Sequence, residues 1–456
     1  MPGYVTLGTT SDLLENMLGT SLYVTADTLD IKINNTGKAT NITSDLNGLK
    51  VDTQYDDTTI GINGSNQLYM LDSSAYVKTT GTFSLNGTYT FSNPVSVAAP
   101  TNNGHAVNRG YMLTITDSLA SRTSLLEENL VLLEQELAAF VMKESAYLLN
   151  FGYQGMVSII DALVSKNDII VYDVDSHACI IDGVRLHMGK RFTYKHNDLE
   201  SMEKNLQRAT KMATETGGGI LFITEGVFGM RGQQGKLKEI VALKEKYNFR
   251  LLVDDAHGFG TLGKTGAGAG EEQGCQDGID VYFSTFAKSM ANIGAFVAAD
   301  KDVIDYLKYN LRSQMFAKAL PMIQTIGSLK RLELLRNSSE IKDKLWVNVN
   351  ALQNGLKEKG FNIGDTNTCI TPVYLEGSIP EAMIMVNDLR ENYGIFLSIV
   401  VYPVIPKGII LLRMIPTASH TIADIDETLA AFEAIREKLE NGTYKEIAER
   451  TTVDVS

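Results

Sequence analysis

Two stretches decide the fold: Leu251-Leu252-Val253-Asp254-Asp255-Ala256-His257-Gly258, and Ser284-Thr285-Phe286-Ala287-Lys288-Ser289 with the preceding Val281-Tyr282-Phe283. Each is an apolar run of strand length that breaks into polar residues, the pattern of a strand buried on both faces. The first delivers an acid and an imidazole three residues apart, and the second delivers a lysine just after an aromatic. In open α/β sheets, ligands bind at the carboxyl ends of the strands, so these groups can converge there. Pyridoxal phosphate requires an acidic partner for its ring nitrogen and a lysine for its aldehyde. Asp254 and Lys288 could supply both. Taken singly, such a lysine is usually a solvated surface charge and such an aspartate often a helix cap.

Further strands are expected at Asp168-Ile169-Ile170-Val171-Tyr172 and Ile220-Leu221-Phe222-Ile223-Thr224. A helix through Leu237, Ile240, Val241 and Leu243, closed by Asn248, lies between the strands that begin at Ile220 and Arg250. Alternation of this kind predicts a mostly parallel sheet with helices on both faces. Upstream, Ser124 and Glu127 form a capping-box pattern. Leu126, Leu130, Leu133, Leu137 and Phe140 then mark one helix face. After about residue 330 a smaller α+β region follows, ending in a helix through Leu429, Phe432 and Ile435.

Residues 1–112 differ in composition. They are rich in Thr, Asn, Ser and Gly and hold only five basic residues, Lys32, Lys38, Lys50, Lys78 and Arg109. Alternating segments such as Thr28-Leu29-Asp30-Ile31-Lys32-Ile33 and Thr82-Phe83-Ser84-Leu85, with Asn-Gly turns at Asn47, Asn63 and Asn86, predict short strands. The stretch from Asn93 to Tyr111 is similar to connector segments of bacteriophage tail-fibre proteins. The expected domains are therefore a β-rich segment over 1–112, a large domain over 113–330 and a small domain over 331–456.

The chain has 456 residues, room for a large core and more than one domain. A formal net charge of -13 argues against general nucleic-acid binding, which needs a basic surface. Cys179, Cys275 and Cys369 are widely spread with no metal-like spacing, which fits a reducing compartment. The N-terminus lacks a basic start and an apolar run, and no stretch is long enough to span a bilayer, so a cytoplasmic protein is expected. Gly217-Gly218-Gly219 lacks the Lys-Ser/Thr ending of a P-loop and reads as a turn into a strand. His105 and His420 read as surface residues, and His187 and His196 as structural ones.

Residues from about 120 to 445 resemble the α-oxoamine synthases, fold-type-I pyridoxal-phosphate enzymes that condense an amino acid with an acyl-CoA, usually releasing CO2. The matching motifs are Asn150-Phe151-Gly152-Tyr153-Gln154-Gly155-Met156, Asp175-Ser176-His177-Ala178, His196-Asn197-Asp198, Glu225-Gly226-Val227-Phe228, the two opening stretches, and Leu412-Arg413. The resemblance implies a homodimer with pyridoxal 5'-phosphate, an amino acid and an acyl-CoA as ligands, and no metal. It implies that Lys288 holds the cofactor and serves as acid and base at the substrate's α-carbon. Asp254 would pair with the ring nitrogen, His257 with the phenolic oxygen, and His177 would stack on the ring. Backbone amides of Gly152 and Tyr153 and the hydroxyl of Thr285 would hold the phosphate, and Arg413 the substrate carboxylate.

The sequence departs from the family pattern at Gly229, where Ser is common, and at Gln233, where an acid is common. Where the family often offers hydroxyls from the neighbouring subunit, this chain reads Phe316-Ala317-Lys318-Ala319-Leu320-Pro321. Members begin with an arm and first helix, of which only Ser121-Arg122-Thr123 is recognisable. The alternative reading is therefore a catalytically impaired fusion whose N-terminal segment is a tail-fibre-like binding module. Overall similarity leans toward the serine palmitoyltransferase and 2-amino-3-ketobutyrate CoA ligase branch, and leaves glycine, alanine and serine open as the amino acid.

Overall fold

The computed structural model describes residues 109–453, except 338, 403, 404 and 406, with side chains from 124 to 450, and six backbone strands between 22 and 70. The chain divides into two compact units, Met1–Ala99 and Pro100–Ser456. In the first, strands Leu22–Thr25, Thr28–Asn35, Lys38–Asp45 and Gly48–Thr53 pair antiparallel in chain order, and Ile60–Ile62 pairs with Leu68–Met70. The tail-fibre likeness, the expected strand at Thr82–Leu85 and His105 lie outside the described residues.

The second unit is built on seven strands: β1 (Ser145–Leu149), β2 (Ile169–Asp173), β3 (Lys190–Tyr194), β4 (Ile220–Glu225), β5 (Arg250–Asp254), β6 (Val281–Thr285) and β7 (Ala295–Ala299). They lie in the order β1-β7-β6-β5-β4-β2-β3, and only β7 runs antiparallel to its neighbours. This is the fold-type-I arrangement expected from the sequence.

The apolar runs are explained by two cores, one on each face. Leu251 and Val253 enter one core while Leu252 enters the other. Phe222 and Tyr282 likewise face opposite ways from Leu221, Ile223, Val281 and Phe283. Side chains alternate across a strand, so a strand covered on both faces must be apolar at every position. Burying each such Leu, Val or Phe is worth about 1.5–3 kcal/mol.

Helix α1 spans Arg109–Phe140. Leu133, Leu137 and Phe140 are buried against the sheet, as their spacing predicts. Ser124 is not a cap, contrary to the sequence reading: it lies inside α1, and its hydroxyl donates to Glu128 at 3.0 Å. A Ser-x-x-Glu pattern needs an extended residue at its first position to act as a box, and here the helix continues through it.

The small region holds a three-stranded antiparallel sheet, β8 (Thr371–Glu376), β9 (Ser398–Val400) and β10 (Ile409–Met414), in the order β8-β10-β9. It packs with helices Ser339–Glu358, Ile379–Tyr393 and Ile422–Glu440 around Val373, Met385, Leu412 and Phe432. The helix through Leu429, Phe432 and Ile435 is followed by another, Thr443–Val453, which the sequence reading missed. The triple glycine is a turn, as expected. Gly217 caps helix Leu199–Thr216 at φ +69°, and Gly218 packs so closely that a Cβ would fall 2.0 Å from the Asn167 carbonyl. Among the described residues no helix is long and apolar enough to cross a membrane.

Candidate active site

The carboxyl ends of β4, β5 and β6 carry Glu225, Asp254 and Thr285. After β5 the chain folds back at once, with Gly258 and Phe259 both donating to the Asp255 carbonyl, and this turn presents His257. After β6 a tight loop presents Lys288. The Asn292 amide donates to the Phe286 carbonyl, the Phe286 amide donates to the Gly294 carbonyl, and the Ala291 amide closes a turn on Lys288. Gly294 at φ +122° lets the loop pass Phe286, whose ring a Cβ there would meet at 2.7 Å.

Lys288, His257 and Arg413 line one cavity of about 1010 Å3. Its wall also holds Lys264, Arg336 and Lys342 and, among the described residues, no aspartate or glutamate. Arg336 is paired with Glu136, and Lys342 donates to the Gly263 and Lys264 carbonyls. Among the described residues, Lys264, Lys288 and Arg413 have no carboxylate within ion-pair distance. Arg413 sits on β10 between the buried Leu412 and Met414, and its Nε donates to the Gly229 carbonyl. The guanidinium fork is left for a ligand.

Lys288 opens onto the cavity, yet burial of its amine lowers the pKa, opposed by the charges of Asp254 and Glu225. His257 is pushed well below its ordinary value by burial, with Lys288 and Arg413 adding to the shift. Asp254 is raised by burial, while Lys288 draws it back down. A cation placed against Asp254 restores the carboxylate. Its Oδ1 is anchored by the Ala256 amide at 3.1 Å.

His177 is the N-cap of α3 (Ala178–Leu186), and its Nδ1 accepts from the Cys179 amide. Its own amide donates to Glu225 Oε1 at 2.5 Å. Its ring meets that of Tyr153 edge-on at 6.3 Å. Tyr153 and Gly152 open helix α2 (Gly152–Leu163), whose N-cap, Phe151, makes no side-chain cap. The first backbone bond into this turn is from Gly155 to the Phe151 carbonyl, so the amides of Gly152, Tyr153 and Gln154 stand before it. A Cβ on Gly152 would come within 3.0 Å of Thr285 Oγ1, so these two share one rim.

The aminotransferase class I and II model matches residues 120–432. A cysteate-C-fatty acyltransferase of Capnocytophaga ochracea is 73% identical over 337 residues, 74% of this chain and 79% of the relative. A serine palmitoyltransferase of Sphingobacterium spiritivorum is 37% identical over 297 residues, 65% of this chain and 73% of the relative. The solved serine palmitoyltransferase of Sphingomonas wittichii is similar with a TM-score of 0.65 and 29% identity, covering 69% of this chain and 77% of that one. A serine palmitoyltransferase solved with pyridoxal phosphate gives 0.64 and 32%, covering 68% and 76%.

The chain belongs to the α-oxoamine synthase family. As an α-oxoamine synthase it is a pyridoxal-phosphate-dependent acyltransferase.

The residues present in this synthase fit the cofactor. The uncapped start of α2 would offer its backbone amides to a phosphate, with the Thr285 hydroxyl on its rim. The buried Asp254 would be a counter-charge for a ring nitrogen, and His257 would be a donor or acceptor for a ring oxygen. Lys288 would supply the amine. The cofactor's aldehyde and pyridine ring, when bound, would supply an electron sink for charge developing at the substrate's α-carbon.

His196 bridges Asp173 Oδ1 at 3.1 Å and Gln233 Oε1 at 2.9 Å, and Asp198 caps helix Leu199–Thr216 by accepting from the Ser201 amide. His187 lies 3.0 Å from the Asp168 carbonyl, and His420 accepts the Thr417 amide at the surface. These match the structural and surface readings. The sequence reading gave no role to Glu225 or Cys179, which both touch His177. A lone acid ending an otherwise apolar strand, as in Ile220–Glu225, is the signal that marks Glu225.

Proposed function

We propose that this synthase joins an amino acid to a fatty acyl thioester with loss of CO2, and that the amino acid is cysteate. The α-carbon would form a bond to the thioester carbonyl carbon as the C–S bond breaks. The α-carboxylate leaves as CO2, and a proton returns to the α-carbon. Lys288, its amine pKa lowered by burial, takes and gives that proton. Arg413 grips a substrate acid group with its free fork, the geometry suited to planar oxyanions. His177, Asp254, His257, Thr285, Gly152 and Tyr153 hold the cofactor in the roles already given. Acyl-CoA is the expected donor, and a cytoplasmic homodimer the expected assembly.

One observation carries the amino-acid choice: among the described residues, the cavity of Lys288 and Arg413 has cationic residues on its wall and no carboxylate. Cysteate brings two anionic groups, and buried like charges would oppose it. The 73% identical relative, a cysteate-C-fatty acyltransferase, points the same way. The test is CO2 release from purified holoenzyme given palmitoyl-CoA and, in turn, cysteate, serine, alanine or glycine. Preference for cysteate supports the reading. Turnover confined to serine would overturn the amino-acid choice and keep the reaction.

A further inference from the structure

We propose that Cys179 is a positioning residue that ties His177 to Asp254 and holds both in register with the cofactor, an inference that rests on the cofactor roles proposed for these two residues. Three distances carry it. The Cys179 thiol lies 3.0 Å from His177 Nδ1. It donates to Asp254 Oδ2 at 3.8 Å. The Cys179 amide also donates to His177 Nδ1, at 3.3 Å.

The consequences follow from donor and acceptor counting. Nδ1 accepts an amide proton, so the neutral ring carries its own proton on Nε2, and the tautomer is fixed. The thiol has one proton, which goes to Asp254, so the sulfur meets Nδ1 as a packing contact and the Cys179 amide is the hydrogen bond that holds the ring. The Glu225 carboxylate, accepting from the His177 amide, fixes the backbone from which the ring springs.

On the other side, Asp254 Oδ1 is committed to the Ala256 amide, and the thiol is the donor found on Oδ2 among the described residues. A thiol is a weak donor. It orients the oxygen yet leaves its charge for a cationic partner. The thiol itself stays protonated, since burial and then the nearby carboxylates of Asp254 and Glu225 push it far up. Cys179 is 3% exposed and packs with Ile180 and Met156, so its place is also fixed by the core. The charged and titratable groups around it are His177, Asp254, Glu225 and Lys288.

The test uses holoenzyme of the full chain and follows the cofactor's visible band against pH in Cys179→Ala and Cys179→Ser. In the alanine variant the midpoint should move by roughly half a pH unit or more, and kcat should fall several-fold with little change in KM. The serine variant restores a donor and should return toward wild type. An alanine variant with the wild-type midpoint and kcat overturns the proposal. His177→Asn and Asp254→Asn serve as controls. Where neither moves the band, the cofactor roles themselves fail; where both do and Cys179→Ala does not, only the role of Cys179 fails. Should the alanine variant not fold, the infrared S–H band lost in Cys179→Ser decides. A frequency displaced from that of a free thiol and moved by Asp254→Asn supports the contact, and a free-thiol frequency overturns it.

Discussion

Glu225 and Asp254 are register partners at the ends of two adjacent parallel strands, and both carboxyls are buried. Burial raises both, and the Asp254 charge raises Glu225 further. Glu225 is pushed well above its ordinary value, and its work is to accept the His177 amide.

Glu225→Gln keeps an acceptor for that amide and removes the carboxyl's charge. We expect its kcat/KM within about threefold of wild type. Glu225→Ala strands the His177 amide, a loss of about 1–3 kcal/mol or roughly 5- to 150-fold. Asp254→Asn removes the counter-charge and should cost more than Glu225→Gln. Steady-state kinetics on the three variants check the ranking. Equal losses in Glu225→Gln and Asp254→Asn would show that Glu225 works as a charge.

Asp255 gives a pH dependence of stability. Its pKa is raised to about 7, chiefly by burial, against hydrogen bonds from the Ala269 amide and the Tyr282 hydroxyl. Its Oδ1 has no partner. Gly226, Gly258 and Gly268 close around the carboxyl, where a Cβ would come within 2.0, 2.1 and 1.8 Å of it. The folded state therefore holds a proton that the unfolded chain has released. The stabilisation is full below the unfolded value near 4 and is lost as pH rises toward 7. Asp255→Asn is neutral throughout. Thermal melts at pH 5 and pH 8 should show a larger drop for wild type than for Asp255→Asn, and parallel drops would refute the assignment.

Arg413 uses one nitrogen for the protein and leaves its fork free. Lysine offers a point charge and cannot do both. Arg413→Lys should raise KM for the amino acid and lower kcat/KM by roughly 30- to 150-fold, about 2–3 kcal/mol. KM for the acyl thioester should change little. A loss confined to the thioester would place Arg413 on the other substrate.

Much of this was legible in the chain. β4, β5 and β6 read clearly because a central strand covered on both faces must be apolar throughout, and their polar ends Asp254, Thr285 and Lys288 stood out against that background. β3 escaped notice because it is the edge strand, with Lys190, Arg191 and Thr193 exposed and only Tyr194 buried. β7 escaped because Ala295, Ala298 and Ala299 carry no strand preference; they are small because the sheet is crowded there. Glu225 and Cys179 had no visible role, since their contacts join residues 48 and 75 positions apart, from His177 and to Asp254. Such pairs exist only once the start of α3 packs against the ends of β4 and β5. The helix start was misplaced at Ser124 because a capping pattern is local, while the helix continues across it.

Gly229 was marked as a departure from the family, and the structure supplies a reason for it. A Cβ there would meet His257 Nε2 at 2.4 Å, while the Gly229 carbonyl accepts from Arg413. The imidazole thus occupies space that a serine side chain would fill. Gly229→Ser should displace His257 and lower kcat roughly tenfold or more, within the range of a misplaced polar group at a reacting centre. Because both changes act through one ring, Gly229→Ser added to His257→Asn should cost little beyond His257→Asn alone. A double-mutant cycle on kcat/KM checks this. Fully additive losses would mean that Gly229 matters through Arg413 or the backbone, and not through the space it leaves for His257.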